Sequence, residues 1–214
     1  MKHNPILCLA LAAVLSPVIV SADSIAVGNH SFEAEQLSSG GWSDATPASW
    51  QETNPNGGES FSEYIPGFVA DGVNHQGIQN GGAVWQDLST SLSPNTQYTL
   101  TVAIGNRNAG FTPPGNQTVF SLQLWDGTTA TTLATQTFDA STLPTSTFAD
   151  QWTTYTTGDT VAAGNLRILL THVNGTGRGH FDNIRLDSLT VPEPGTIALL
   201  GLGAAGFFLR RRKA

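Results

Sequence analysis

The sequence contains a single cysteine, Cys8, which lies in an apolar stretch near the N-terminus. Residues 23–190 therefore contain no cysteine, which excludes disulfides and thiol catalysis from the main body of the chain. Such a domain is held together by its hydrophobic core, with or without the help of a metal ion. Cys8 follows Leu7 rather than a small residue, so it is also a poor site for a lipid anchor.

Positive charge is scarce as well. Residues 23–190 contain no lysine and four arginines against 15 aspartates and glutamates, a formal charge of −11, whereas the whole chain carries −7. Such a surface repels nucleic acid and anionic lipid, and it repels an anionic polysaccharide unless cations bridge the two. We therefore expect no nucleic-acid partner and, among polysaccharides, a neutral one.

The sequence also lacks the short motifs of common catalytic sites. It has no Gly-x-Ser-x-Gly, no His-Glu-x-x-His and no phosphate-binding glycine loop in the body of the chain. Carboxylate pairs such as Glu33/Glu35 and Glu59/Glu63 would suit a glycosidase, but 15 acids produce such pairs by chance. We expect a protein that is not an enzyme, without catalytic residues.

Both ends of the chain have the pattern of sorting signals. Residues 1–22 combine a weakly basic start, an apolar stretch and the small-residue cleavage site Val20-Ser21-Ala22, which predicts a secretory signal peptide with a short apolar helix. Residues 191–214 begin with Val191-Pro192-Glu193-Pro194, continue as an apolar run over 197–209 and end in a cluster that includes Arg210, Arg211 and Arg212. The prolines separate this tail from any preceding strand.

The apolar run of the tail predicts a short transmembrane helix. Its 13 residues would form a helix about 20 Å long against a hydrocarbon core of about 30 Å, which is short for a permanent anchor. The cations would keep its end on the cytoplasmic side. The tail has Pro-Glu-Pro, an apolar helix and an arginine cluster in this order, and in this it resembles the PEP-CTERM sorting signal of Gram-negative bacteria.

The PEP-CTERM resemblance implies an exosortase-type processing enzyme as a partner, cleavage near Pro-Glu-Pro and transient anchoring through the C-terminal helix. It also implies export through the inner membrane to the cell surface or the extracellular matrix. A minimal membrane anchor without a processing enzyme is the alternative.

Residues 23–190 have the alternation of β-strands. Gln97–Gly105 is the clearest strand, and others are predicted at 25–32, 83–88, 118–125, 131–138, 151–157, 165–173 and 179–189. No stretch of this part shows a convincing helical period. About eight antiparallel strands predict an all-β fold, a single β-sandwich of the jelly-roll type.

Residues 36–82 interrupt this regularity, because 22 of these 47 residues are Gly, Ser, Asn or Pro. The segment nevertheless contains five large aromatic residues, too many for a solvated linker: Trp42, Trp50, Phe61, Tyr64 and Phe68. We predict a long loop region that packs on the domain, contains short strands and carries function.

Five short motifs accompany these strands. They are Asn-x-Ser-Phe-Glu at 29–33, Pro-x-x-Trp at 47–50, Gln-x-Leu at 86–88, Pro-Asn-Thr-x-Tyr-Thr-Leu at 94–100 and Phe-Asp-Asn-Ile-x-Leu at 181–186. Together they resemble the galactose-binding-like jelly rolls, a group that includes many carbohydrate-binding modules. The resemblance implies a structural Ca²⁺ that ties the first strand to the last through Glu33 and Asp182. Alternatively, these two carboxylates are solvated or cap turns.

A transition-metal site at His172, His180 and Asp182 is a further alternative. His180 and Asp182 share one face of a predicted strand because they are two residues apart. The sequence shows no third well-placed ligand, so we do not predict this site.

Sugar-binding sites combine flat aromatic side chains with amides and carboxylates. The candidates are Trp42, Trp50, Tyr64 and Trp85 in or beside the long loop region, together with Arg107 at a strand end. We expect Trp50 and Trp85 to serve the core first, and Arg107 to pair with a loop carboxylate in preference to a ligand. The sequence thus predicts a non-catalytic surface protein that binds neutral glycan in exopolysaccharide or biofilm matrix. A structural or adhesive protein without a sugar ligand is the alternative, and a polysaccharide-acting enzyme is a remote one.

Overall fold

The computed structural model describes residues 22–53, 59–173 and 177–191. These residues form twelve β-strands and one 3₁₀ turn at Ala140–Thr142. The strands are β1 (Asp23–Ile25), β2 (Trp42–Ser43), β3 (Gln51–Glu52), β4 (Ser60–Glu63), β5 (His75–Gln79), β6 (Ala83–Ser91), β7 (Thr96–Asn106), β8 (Gln117–Trp125), β9 (Ala130–Asp139), β10 (Thr147–Thr156), β11 (Asn165–His172) and β12 (Arg178–Thr190). Within these ranges, no helix is long and apolar enough to cross a membrane. The predicted signal helix, the C-terminal helix and the sorting motif beyond Val191 lie outside the described residues.

The strands form two antiparallel sheets. One has seven strands in the order β10-β7-β12-β5-β4-β2, with β1 added beside β12, and the other has five in the order β3-β6-β11-β8-β9. The two sheets share one core, so the predicted β-sandwich is confirmed.

The core lies between the sheets because each long strand alternates as its sequence predicts. On β7, Leu100, Val102 and Ile104 are completely buried and point to the other sheet. They face buried side chains of the five-stranded sheet: Val84, Leu88, Phe120, Leu122, Leu166, Ile168 and Leu170. Burial of this much apolar surface replaces disulfides as the source of stability.

The alternate side chains of the seven-stranded sheet point away from the core, and we call this side the outer face. Strand register fixes its members: Trp42 lies opposite Glu63, and Glu63 lies opposite His75. Further along the sheet, His180 pairs with Gly77 on one side and with Gly105 on the other. These residues therefore share one surface, although they are far apart in the sequence.

The predicted long loop region packs on the domain and contains strands β2 to β5. Its residues 64–74, which we call the covering loop, connect β4 to β5. Phe68 of this loop packs against His75, His180 and Phe148, with ring centroids 5.0, 5.3 and 4.6 Å away. The covering loop thus lies across the middle of the outer face.

The predicted strand at 25–32 is wrong beyond Ile25. Asn29 and Phe32 have positive φ angles of 47° and 59°, which an extended strand does not allow. The Phe32 N–H donates to the Asn29 carbonyl at 3.2 Å and closes a turn. This turn buries Phe32 in the core. The alternation of apolar residues at 25–32 therefore reflects the burial of side chains rather than strand pairing.

Candidate functional site

The outer face carries a cavity of about 340 Å³ at one edge of the seven-stranded sheet. Its lining residues come from four neighbouring strands, β2, β4, β5 and β12, and are Trp42, Phe61, Glu63, Gln79 and Arg178. Gln79 lies directly opposite Arg178 in the sheet, and the Arg178 Nε donates to the Gln79 Oε1 at 3.0 Å. The cavity thus combines two aromatic rings with an acid, an amide and a guanidinium group.

The two aromatic rings of the cavity have different roles. Trp42 is 64% exposed, which leaves its indole free to contact a ligand. Phe61 is buried and lies over Gly77, where a Cβ atom would come within 2.2 Å of its ring. Only glycine at position 77 therefore allows the ring to lie flat across β5. Phe61 forms a fixed apolar floor, and Trp42 stands at the rim.

Glu63 is the charged centre of the cavity. The Arg107 Nη1 donates to both carboxylate oxygens at 2.9 Å, and the His75 Nε2 lies 3.7 Å from one of them. Burial raises the pKa of Glu63, but His75, Arg107 and Arg178 together outweigh burial and hold the pKa below its ordinary value. The carboxylate is therefore ionised and fixed in position. Arg107 also stacks on Phe111, 3.9 Å from the ring centroid.

Two buried histidines lie beneath the covering loop, next to Glu63. The rings of His75 and His180 are 5.2 Å apart at 63°. Burial lowers the pKa of both, for His180 well below the ordinary value, so both imidazoles are neutral near pH 7. None of their four ring nitrogens has a hydrogen-bond partner among the described residues, since 3.7 Å from His75 to Glu63 is too long.

A second cavity, of about 420 Å³, lies on the other side of the covering loop. It is lined by Val69, Ala70, Ala103, Phe148, Ala149, Asp150 and Asn183. Trp152, two positions further along β10 than Asp150, is 63% exposed on the same outer face. The outer face therefore has an exposed tryptophan near each edge, and the sequence analysis did not single out Trp152.

The two carboxylates predicted to bind Ca²⁺ hold the covering loop. The Asp182 Oδ2 accepts hydrogen bonds from the N–H groups of Ala70 and Asp71, and its Oδ1 accepts one from Asn183. The Glu33 Oε1 accepts from the N–H groups at positions 73 and 74. Ca²⁺ binding by these two carboxylates stays a prediction. The contacts are those of the capping alternative.

Asp182 has an unusual environment for a carboxyl group. It is completely buried, and burial raises its pKa to about 7 against the lowering effect of the backbone hydrogen bonds. At neutral pH this side chain is therefore partly protonated. It lies next to Asn183, which lines the second cavity.

The sequence profile of the HpiC1 cyclase family matches residues 23–187, which is the sandwich except for the last three residues of β12. The chain belongs to the HpiC1-like cyclase family. The PEP-CTERM protein-sorting motif matches residues 190–213. None of the curated proteins matches the sequence.

Two solved structures share the fold of this HpiC1-like protein. The Stig cyclase Fisc from Fischerella sp. TAU, in complex with (3Z)-3-(1-methyl-2-pyrrolidinylidene)-3H-indole, has a TM-score of 0.67 and 24% identity, over 80% of this chain and 100% of that one. A cyclase from Fischerella sp. TAU in complex with 4-(1H-indol-3-yl)butan-2-one has a TM-score of 0.65 and 23% identity, over the same shares. The CBM22-1 xylan-binding domain of Paenibacillus barcinonensis Xyn10C has a TM-score of 0.48 and 13% identity, over 77% of this chain and 94% of that one. This similarity is too distant to bear on function. The sequence analysis identified the sandwich but not this family.

The PEP-CTERM match confirms the predicted sorting motif in the C-terminal tail. The motif is a signal for export and for sorting to the cell surface, with processing by an exosortase at the membrane. The HpiC1-like domain therefore functions outside the cytoplasm.

The structure brings two of the five predicted ligand residues to the first cavity. Trp42 lines it, and Arg107 pairs with Glu63 at its edge, which is the expected pairing with a loop carboxylate. Tyr64 is half-buried beside Glu63 and is not a lining residue.

Trp50 and Trp85 are not part of this site. Trp50 is 4% exposed, packs on Phe32 at 5.4 Å between ring centroids and donates its indole N–H to the Asn29 carbonyl. Trp85 lies on β6 of the five-stranded sheet, on the other side of the sandwich.

Four lining residues were not predicted as ligand residues from the sequence: Phe61, Glu63, Gln79 and Arg178. The alternation in Ser60-Phe61-Ser62-Glu63 is a usable signal, because it places Phe61 and Glu63 on one strand face. Gln79 and Arg178 meet only through the register of β5 with β12, for which the sequence has no signal.

Proposed function

We propose that this surface-sorted protein is a glycan-binding module whose ligand is a neutral polysaccharide bound in the first cavity. The observation that carries the proposal is the exposed indole of Trp42 beside a fixed set of polar groups. The apolar face of a pyranose ring packs on an indole, while its hydroxyl groups need both donors and acceptors. Glu63 accepts hydrogen bonds, Arg178 donates them, and Gln79 does both.

The polar groups of the cavity are fixed before a ligand arrives. Arg107 holds Glu63 through two contacts of 2.9 Å, and Gln79 holds Arg178. Arg178 is also placed over the Phe61 ring at 4.8 Å. Because these side chains sit on paired strands, binding costs little conformational entropy. The domain's excess of acidic residues favours a neutral over an anionic glycan.

A binding screen with a matched pair of variants tests the proposal. The purified protein is applied to an array of neutral and anionic glycans, and the best ligand is titrated by calorimetry. Trp42→Ala is expected to weaken binding at least tenfold. Trp152→Ala removes an equally exposed indole from the other end of the outer face and is expected to change affinity little.

Two results would overturn the glycan proposal. Equal losses in both variants would show non-specific contact with exposed tryptophan, and the absence of any glycan ligand for the folded protein would leave the structural or adhesive role.

A second candidate is an acid–base enzyme, favoured by one observation: the buried Asp182 with a pKa of about 7 beside the second cavity. A carboxyl group with such a pKa donates and accepts protons at neutral pH. The matching family bears the name cyclase, and two solved cyclases with the same fold are in complex with indole compounds. Mass-spectrometric detection of product from a panel of indoles and polysaccharides, with loss of turnover in Asp182→Asn, would replace the binding-module proposal.

A further inference from the structure

Three potential metal ligands converge on the outer face beneath the covering loop: Glu63 on β4, His75 on β5 and His180 on β12. Glu63 and His75 are direct cross-strand partners, and His180 pairs with Gly77, two positions beyond His75. One ligand atom from each of the three residues lies within 4.8 Å of the other two. Three adjacent strands thus deliver two imidazoles and a carboxylate to one point.

Both buried imidazoles lack hydrogen-bond partners among the described residues. His75 and His180 are each 0% exposed, and none of their ring nitrogens has a hydrogen-bond partner among the described residues. Buried polar groups of this kind are normally satisfied, because leaving them unpaired costs free energy. His172 is equally buried but differs, since its Nε2 is 2.9 Å from the Asn116 Oδ1. The His172 Nδ1 is unpaired as well, so among the described histidines His75 and His180 are the two that leave both ring nitrogens without a partner.

We propose that Glu63, His75 and His180 form a binding site for a divalent transition-metal ion of the Zn²⁺ class. Two imidazole nitrogens and one carboxylate oxygen are a ligand set that suits zinc, whereas Ca²⁺ and Mg²⁺ require oxygen ligands. Zinc bonds of about 2.0–2.1 Å require the ligand atoms to draw together by about an ångström from their present positions.

The surroundings of the three residues fit such a site. Arg107 contacts both oxygens of Glu63. One oxygen can therefore coordinate the metal while the other keeps its hydrogen bond to Arg107, and this hydrogen bond would orient the carboxylate. Phe68 and Phe148 pack against His75 and exclude water from one side. Glu63 also lines the first cavity, so the proposed metal site adjoins the proposed glycan site.

Metal binding by the untagged, purified protein tests the inference directly. After removal of metals with EDTA, calorimetry and elemental analysis are expected to give one Zn²⁺ per chain and a higher melting temperature, while Ca²⁺ binds at least a hundredfold more weakly at this site. X-ray absorption of the zinc-loaded protein is expected to show two imidazole ligands. A zinc shell without imidazole, or a folded protein that binds no zinc, would overturn the inference.

Variants locate the site. His180→Gln and His75→Gln are each expected to weaken zinc binding at least a hundredfold, and His172→Gln, at a buried histidine outside the cluster, to leave it unchanged. Melting curves without metal show which variants fold, and the absorption measurement on the unaltered protein remains decisive if the buried variants do not. Unchanged zinc affinity in a folded His180→Gln protein would contradict the assignment. Trp42→Ala separates the two proposals, because it should weaken glycan binding and keep full zinc affinity.

Discussion

The raised pKa of Asp182 predicts an uncommon pH dependence of stability. The native carboxyl has a pKa of about 7 because it is buried, whereas an aspartate in the unfolded chain has its ordinary value of 3.8. Between these values the folded protein keeps a proton that the unfolded chain has lost. The contribution of Asp182 to the free energy of unfolding is therefore complete below pH 4 and falls as the pH rises through 7.

The magnitude follows from the difference between the two pKa values. About 3 pH units at about 1.4 kcal/mol each give a loss of about 4 kcal/mol between pH 4 and pH 8, a substantial fraction of a domain's stability. His75 and His180 oppose this trend, because their lowered pKa values make stability rise with pH through the ordinary value of 6.5. Asp182 must therefore be isolated by comparison with a variant.

The assay is urea unfolding of the native protein and of Asp182→Asn at intervals from pH 4 to pH 8. Asparagine does not titrate, so its altered hydrogen bonds with the covering loop change the unfolding free energy of the variant by the same amount at every pH. The effects of the histidines are common to both proteins and cancel in the difference. The unfolding free energy of the native protein minus that of the variant is expected to decrease by about 4 kcal/mol across the range. A difference that stays constant, or increases with pH, would refute the reasoning.

Three further predictions follow from the contacts. Arg107→Ala should destabilise the protein by roughly 3 kcal/mol, measured by chemical denaturation, because it leaves the buried Glu63 carboxylate without its ion-pair partner. Arg185→Ala removes one side of a half-exposed ion pair and should cost at most about 1 kcal/mol. Equal losses of stability in the two variants would contradict the difference in burial between the two ion pairs. Gly77→Ala should lower the free energy of unfolding by about 1–3 kcal/mol, because the new Cβ would collide with the Phe61 ring. Gly158→Ala is the control, since open space surrounds its Cβ, and it should leave the melting temperature nearly unchanged. An unaltered melting temperature of the Gly77→Ala protein would show that the Phe61 ring moves aside freely. Because backbone N–H groups occupy the capping carboxylates of the covering loop, millimolar Ca²⁺ should not shift the melting temperature of the metal-free protein, and a calcium-dependent rise of several degrees would support the predicted calcium site.

The alternation of the sequence was sufficient to predict the long strands. In β7 and β11 large apolar residues occupy every second position over 98–104 and 166–170, and the structure buries these residues. The same rule failed at 25–32, where Phe32 is buried by a turn with positive φ angles. Alternation reports which side chains are buried, and it does not report whether the backbone pairs with a neighbour.

The site was less predictable because it depends on register between distant segments. Trp42 was identifiable as an aromatic residue in a polar loop region. The meeting of Gln79 with Arg178, and of His75 with His180, depends on how β5 pairs with β12, about a hundred residues later. The covering loop adds Phe68 on top of both histidines. Neither contact leaves a pattern within a single strand.

The central claim is that a neutral glycan binds against Trp42, and indole N–H NMR tests it most directly. The chain has five tryptophans, each with one indole N–H signal, and the spectrum of Trp42→Ala assigns the signal of Trp42. Titration with neutral oligosaccharides is predicted to shift that signal in a saturable way and to leave the buried Trp50 signal in place. If no indole signal moves, or if only the signals of Trp85 or Trp152 move, the proposed site is contradicted.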